Sequence, residues 1–399
     1  MSENKPSNRI LELEESQTIA MAKASRALKA KGIDVVNLSF GEPNFKTPAH
    51  IREAAKAFID EGYVYYTPVA GDADLRKAVS EKFKRENNLN FSPEQVVVST
   101  GAKHSIINVL LSLVNPGDEV VIPTPYWVSY SEMVKLAEGK TVYIETTVEQ
   151  DFKISPEMLR RAISPKSKVF LFSTPCNPTG SVYSRQELEA LAKVFEENPQ
   201  IFIISDEIYE HINFDGTHFS LAQIESLQNR VVVVNGVSKA FAMTGWRVGY
   251  IGAPLWIAQA CEKLQSQFTS GTNAVAQKAA IAALRSPLQS TYQMKEIFRK
   301  RRDMVLAAMK EIPGIKLNKP EGAFYVFPDV SSFFGKKYKE YFIRNSDDLC
   351  MFLLNEAHVA IVPGSAFGAE GYVRFSYAAS EEDLTKAMAR LKETLDLLN

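Results

Sequence analysis

The chain has 399 residues, with 46 Lys and Arg set against 47 Asp and Glu and a net charge of −1. So even a balance offers no broad field to nucleic acid or to an anionic membrane, and the length is enough for one large core and a smaller one. Cys176, Cys261 and Cys350 are too few and too scattered for a disulfide framework, and the five histidines lack metal-ligand spacing, so no metal is expected.

Met1–Arg9 is polar and lacks the apolar centre of a signal peptide. From about Thr47 to Pro287, short apolar runs alternate with helical patterns. This predicts an α/β fold with a mostly parallel seven-stranded sheet between helices. The expected strands are Gln95–Ser99, Glu119–Ile122, Lys140–Ile144, Val169–Ser173, Ile201–Ser205, Val231–Asn235 and Val248–Ile251. Several lack polar alternation, as strands covered on both faces do. Ile51–Glu61, Asp74–Asn87 and Arg185–Glu196 read as helices between them. Ser155 before Pro156, and Ser184 three residues ahead of Glu187, are helix starts. The apolar run Val96–Val114 is broken by Lys103 and His104, too soon for a membrane span. A cytoplasmic protein is expected.

Beyond Pro287 the charge density rises. Tyr292–Lys310 reads as a long amphipathic helix, followed by an α+β pattern: Gly322–Phe327, a solvated aromatic and lysine-rich loop over Ser331–Asn345, Ala360–Val362, Tyr372–Ser376 and a closing helix, Glu381–Leu398. The division predicted is a large domain over 48–290, a small α+β domain over 291–399, and an N-terminal segment, 1–47, packed with the small domain.

The most informative run is Ser238-Lys239-Ala240-Phe241-Ala242-Met243-Thr244-Gly245-Trp246-Arg247-Val248-Gly249. Lys239 follows the apolar strand Val231–Val237, and an ammonium there is costly to bury, which favours the neutral amine. A neutral amine attacks aldehydes to form a Schiff base. Ser238 and Arg247 bracket it with the groups that hold a phosphate. Amine and phosphate clamp together are what pyridoxal phosphate requires. Asp206 ends another apolar strand, at the edge where ligands gather in open α/β sheets. A carboxylate there can keep a pyridine nitrogen protonated. Asn177 lies in a stiff turn, Thr174-Pro175-Cys176-Asn177-Pro178-Thr179-Gly180, where Cys176 is expected to pack. Gly101-Ala102-Lys103 opens a helix whose backbone N–H groups face an anion. Arg374, on a short C-terminal strand, offers a fork for a carboxylate.

These motifs closely resemble those of class I aminotransferases of pyridoxal-phosphate fold type I, and they fall in that family's order. The resemblance runs from about Glu15 to the closing helix. It implies Lys239 as the catalytic lysine bound to the cofactor, Asp206 as partner of the ring nitrogen and Tyr209 as partner of the ring hydroxyl, with Glu207 structural. Asn177 would contact the ring hydroxyl and the substrate carboxylate, and Trp127 would stack on the ring. Gly101, Ala102, Lys103, Ser238 and Arg247 would hold the phosphate. Gly41, in Phe40-Gly41-Glu42-Pro43-Asn44-Phe45, and Arg374 would receive the substrate α-carboxylate. Tyr66, in Tyr65-Tyr66-Thr67-Pro68, would reach the phosphate of a second subunit, implying a homodimer with shared active sites.

Tyr126-Trp127-Val128-Ser129-Tyr130 is most similar to the bacterial-type branch of aspartate aminotransferases. There the lysine of the Gly-x-Lys turn and an N-terminal threonine read the side-chain carboxylate; Lys103 and Thr18 match. The implied reaction passes the amino group of L-aspartate to 2-oxoglutarate, giving oxaloacetate and L-glutamate by a ping-pong route. Aromatic, prephenate and alanine-type aminotransferases share the cofactor motifs, as does a C–S β-lyase of the same fold. Glu14, close to Thr18, is expected to put a negative charge near the entrance and to disfavour prephenate.

Overall fold

The computed structural model describes residues 5–399, so Met1–Asn4 of the N-terminal segment lie outside the described residues. The first strand, β1 (Val36–Asn37), finds its partner only near the far end of the chain. The next seven, β2 (Val96–Ser99), β3 (Glu119–Pro123), β4 (Lys140–Ile144), β5 (Ser167–Ser173), β6 (Phe202–Asp206), β7 (Val231–Gly236) and β8 (Gly249–Gly252), make one sheet in the order β2-β8-β7-β6-β5-β3-β4. The pairings are parallel except those of β8, which runs antiparallel to both β7 and β2.

The lack of polar alternation has a direct cause. Successive side chains of a strand point to opposite faces. Val98, Val121, Phe170, Ile203 and Val231 pack under the helices of one face, whereas Val97, Val120, Val169, Ile204 and Val232 pack under those of the other. Both faces are buried there, so all ten of these positions are apolar. Ser184 caps the helix Arg185–Glu197 by accepting from the Glu187 N–H, and Glu187 returns the bond. Ser155 caps Pro156–Ala162 by accepting from the Met158 N–H, with no bond returned.

After the helix Gln289–Lys310, the chain forms β9 (Tyr325–Val326), the hairpin β10 (Lys337–Tyr338) and β11 (Tyr341–Phe342), then β12 (Val359–Ala360), β13 (Val362–Pro363) and β14 (Val373–Ser376). The hairpin corrects the loop expected over Ser331–Asn345. Phe333 and Ile343 are fully buried and tie that stretch down, while the lysines between them stay in water. β1 lies parallel to β12, and Met21, Val36 and Leu38 share a core with Phe298, Phe324, Leu349, Val359 and Leu391. Asp34 forms ion pairs with Lys386 and Arg390 of the closing helix, Glu381–Leu395.

Candidate active site

A cavity of about 580 Å³ opens at the carboxyl ends of β5, β6 and β7, within the range usual for small-molecule sites. Lys239, Ser238, Asp206, Tyr209, Asn177, Trp127, Ala102, Lys103, Arg247, Gly41, Arg374 and Thr18 all line it. Gly101 stands just behind, against the Arg247 guanidinium. Tyr66 does not reach this cavity: it is 98% exposed.

Lys239 follows β7 directly, and its Nζ donates to the Gly41 carbonyl at 2.5 Å. Burial pushes the amine down to about 8, against the pull of Glu42 and with the help of Arg374 and Arg247. Four bonds fasten the 41–47 segment to the lysine loop. Besides Lys239 to Gly41, Thr244 Oγ1 donates to Glu42, Thr47 Oγ1 to the Ala242 carbonyl, and Trp246 Nε1 to Thr47 Oγ1. A Cβ on Gly41 would lie 2.6 Å from the Tyr325 hydroxyl, so only glycine lets this strap lie so close.

Asp206 ends β6 and is 5% exposed. Its Oδ2 accepts from the Tyr130 hydroxyl at 2.7 Å and its Oδ1 from the Ile208 N–H at 3.3 Å. Burial outweighs these bonds and pushes the carboxyl up to about 6. Tyr209 shares a 2.8 Å hydrogen bond with Tyr325. Asn177 Oδ1 accepts from Arg374 Nη1 at 3.0 Å, and Arg374 Nη2 donates to the Ser39 carbonyl at 2.6 Å. Arg374 is buried between the rings of Tyr325 and Phe367, and its Nε is buried without a hydrogen-bond partner.

The helix Ala102–Leu113 begins at Gly101 with φ +86° and no side-chain cap, leaving its first N–H groups open. Arg247, itself at φ +58°, donates to the carbonyls of Thr244 and Thr100 and closes over this turn. An uncapped helix N-terminus beside a guanidinium is an anion site. Lys103, one residue further on, has its Nζ 4.9 Å from the centre of the Trp127 ring. Burial and Arg247 both lower its proton affinity.

Other groups were not anticipated from sequence. Tyr130 had been quoted only as part of a similar motif. Arg26 lines the cavity from the same helix face as Thr18 and Ala22, at four-residue spacing on Gln17–Ala30. Glu14 is not among the lining groups; its N–H donates instead to Glu132. Histidine spacing concealed two carboxylate–imidazole groupings, Glu86-Glu210-His211 and Glu207-Glu210-His218. A buried ammonium already serves them: Lys82 pairs with Glu210 and donates to Asn87 Oδ1 at 2.7 Å.

A buried amine and a buried carboxylate facing one cavity, beside an anion turn and a carboxylate fork, define an enzyme of amino-acid chemistry. The chain belongs to the aminotransferase class I and II family, whose model matches residues 33–391. It is 46% identical to an aspartate/prephenate aminotransferase of Nitrosomonas europaea over 98% of this chain and 100% of that protein. It is also 46% identical to a bifunctional aspartate aminotransferase and glutamate/aspartate-prephenate aminotransferase of Petunia hybrida, over 98% of this chain and 82% of that one. Among solved structures, the aspartate aminotransferase of Rhizobium meliloti superposes with a TM-score of 0.95 at 40% identity, over 99% of this chain and 100% of that one. That of Thermus thermophilus with maleate gives 0.92 at 40% identity, over 98% and 99%. The protein is a transaminase of the expected α/β fold.

Proposed function

We propose that the enzyme transfers the amino group of L-aspartate to 2-oxoglutarate, using pyridoxal phosphate. The observation that carries the substrate is that Arg374 and, apart from it, the desolvated Lys103 by Trp127 line one cavity. Two cations at separate points suit a substrate with two carboxylates, and maleate, bound to the similar Thermus enzyme, is such a dianion.

The residues fit the cofactor. The open helix turn at Gly101, with Ser238 and Arg247, takes a phosphate. Trp127 offers a flat face, Asp206 an anion for a ring nitrogen, and Tyr209 and Asn177 polar groups for a ring hydroxyl. Once bound, the cofactor supplies the electron sink that makes the substrate α-proton acidic. Lys239 Nζ takes the proton from the α-carbon of the amino donor, would pass it to the cofactor, and in the second half-reaction delivers a proton to the α-carbon of the oxo acid; its lowered proton affinity suits a base at neutral to mildly alkaline pH. Arg374 and Asn177 fix the α-carboxylate; Lys103 and Thr18 receive the distal one.

The working unit in this reading is a homodimer in the cytoplasm, with a large domain over 48–290 and a small one over 291–399 joined by segment 1–47. Tyr63, Val64, Tyr65 and Tyr66 are all exposed, an apolar group that a second copy would cover. A second opening, of about 650 Å³ and lined by Thr100, Arg247 and Thr272, gives a partner's tyrosine a path to the anion turn. Prephenate is a second acceptor, favoured by Arg26 in the lining.

A screen of amino-acid half-reactions at the cofactor absorbance tests this. Lys103→Ala should weaken aspartate and 2-oxoglutarate at least tenfold and alanine or phenylalanine less than threefold; equal losses would remove Lys103 from substrate selection. Lys239→Ala should abolish turnover.

A further inference from the structure

We propose that Tyr130 is a positioning residue that keeps Asp206 anionic, so that the proton shared with a bound ring nitrogen stays on the nitrogen. This rests on the reading of Asp206 given above. Tyr130 stands in the first turn of the helix Ser129–Leu136, three residues beyond Trp127, and is 1% exposed. Its ring meets Trp127 edge-on at 5.5 Å, which fixes where the hydroxyl points. That hydroxyl is the only side-chain donor to Asp206 among the described residues; the other bond comes from the Ile208 backbone.

The groups around the carboxylate act in opposite senses. Glu207, next along the chain, disfavours the anion, and the Lys239 amine favours it. Tyr209 is buried and Cys176 half-buried, and both stay neutral, their own acidities suppressed. A buried carboxylate that loses its stronger donor becomes more basic. Above a certain basicity it takes the proton from the group it faces, and the ring no longer withdraws electrons. Tyr130 is thus placed to decide the side on which that proton rests.

Tyr130→Phe removes the hydroxyl and leaves the ring. In the full-length protein with aspartate carboxyls labelled with carbon-13, and Asp206→Asn to assign the signal, the Asp206 titration midpoint should rise from about 6 by roughly one to two pH units. With pyridoxal phosphate bound, kcat for aspartate should fall at least tenfold and KM should change less than threefold. An unchanged midpoint overturns the proposal, because a purely packing role predicts none. Site-specific 3-fluorotyrosine at position 130, a stronger donor of the same shape, should move the midpoint down; no movement or an upward one overturns the proposal even where the phenylalanine variant fails to fold. Full transamination by Asp206→Asn would instead overturn the underlying reading of Asp206.

Discussion

Replacing Arg374 with lysine keeps a positive charge in the cavity and removes the fork. The guanidinium already spends Nη1 on Asn177 and Nη2 on the Ser39 carbonyl, and Nε is buried without a partner. A carboxylate arriving along the Nε edge therefore completes the set. An ammonium can satisfy Asn177 and Ser39 but has no second coplanar donor left for the substrate. The loss is one hydrogen bond between charged groups, about 1.5–3 kcal/mol. That corresponds to about 10- to 150-fold in kcat/KM. The assay is the aspartate half-reaction followed at the cofactor absorbance under saturating cofactor, with the near-ultraviolet spectrum as a check on folding. A folded Arg374→Lys enzyme within threefold of the parent would refute the idea that the free edge of the guanidinium holds the substrate.

Three more outcomes are expected. Gly101→Ala puts a methyl group against the Arg247 guanidinium at φ +86°; the cofactor dissociation constant should rise at least tenfold by fluorescence titration, and an unchanged value would remove the turn from phosphate binding. Lys82→Met leaves Glu210 buried without its ammonium and should cost about 3–5 kcal/mol in denaturant unfolding; a loss below about 1 kcal/mol would show that Asn87 and Asn235 suffice. For Lys239 the lowered proton affinity means that the free amine appears on raising the pH through about 8. The rate at which the cofactor-free protein captures an aldehyde should therefore climb to a plateau just above that pH, and a rate still rising at pH 10 would contradict the burial argument.

The sheet was legible because its central strands are buried on both faces and so run apolar through their middles, and the turns between them carry proline and glycine. The direction of β8 was not. Gly249–Gly252 is as apolar as the parallel strands of the sheet, and periodicity says nothing of which way a strand points. The cofactor-facing groups could be found because each ends a strand or opens a helix. Tyr130 stayed hidden for the opposite reason: its role depends on Asp206, far away in sequence and joined to it only by the fold. Arg26 was missed because an arginine eight residues along a helix from Thr18 resembles any solvated charge. The hairpin over Lys337–Phe342 was obscured by its lysines, whose charged ends lie over aromatic rings at the surface, while Phe333 and Ile343 anchor its base.

The pairing of β1 with β12 sets a schedule for the protein's synthesis. By Gly252 the nascent chain contains every strand of the large sheet and the reactive amine. Ser39, whose carbonyl holds Arg374, still hangs from a strand whose partner has not been made; Leu38 is later fixed by its N–H to the Ala360 carbonyl. At about 5–20 residues per second the ribosome takes several seconds more to supply Val359–Ala360. Until then Arg374 is missing from the cavity lining. A message cut short before β12 would thus lack both the partner of β1 and Arg374, so an intact carboxyl-terminal end is a requirement for holding the substrate carboxylate as much as for folding.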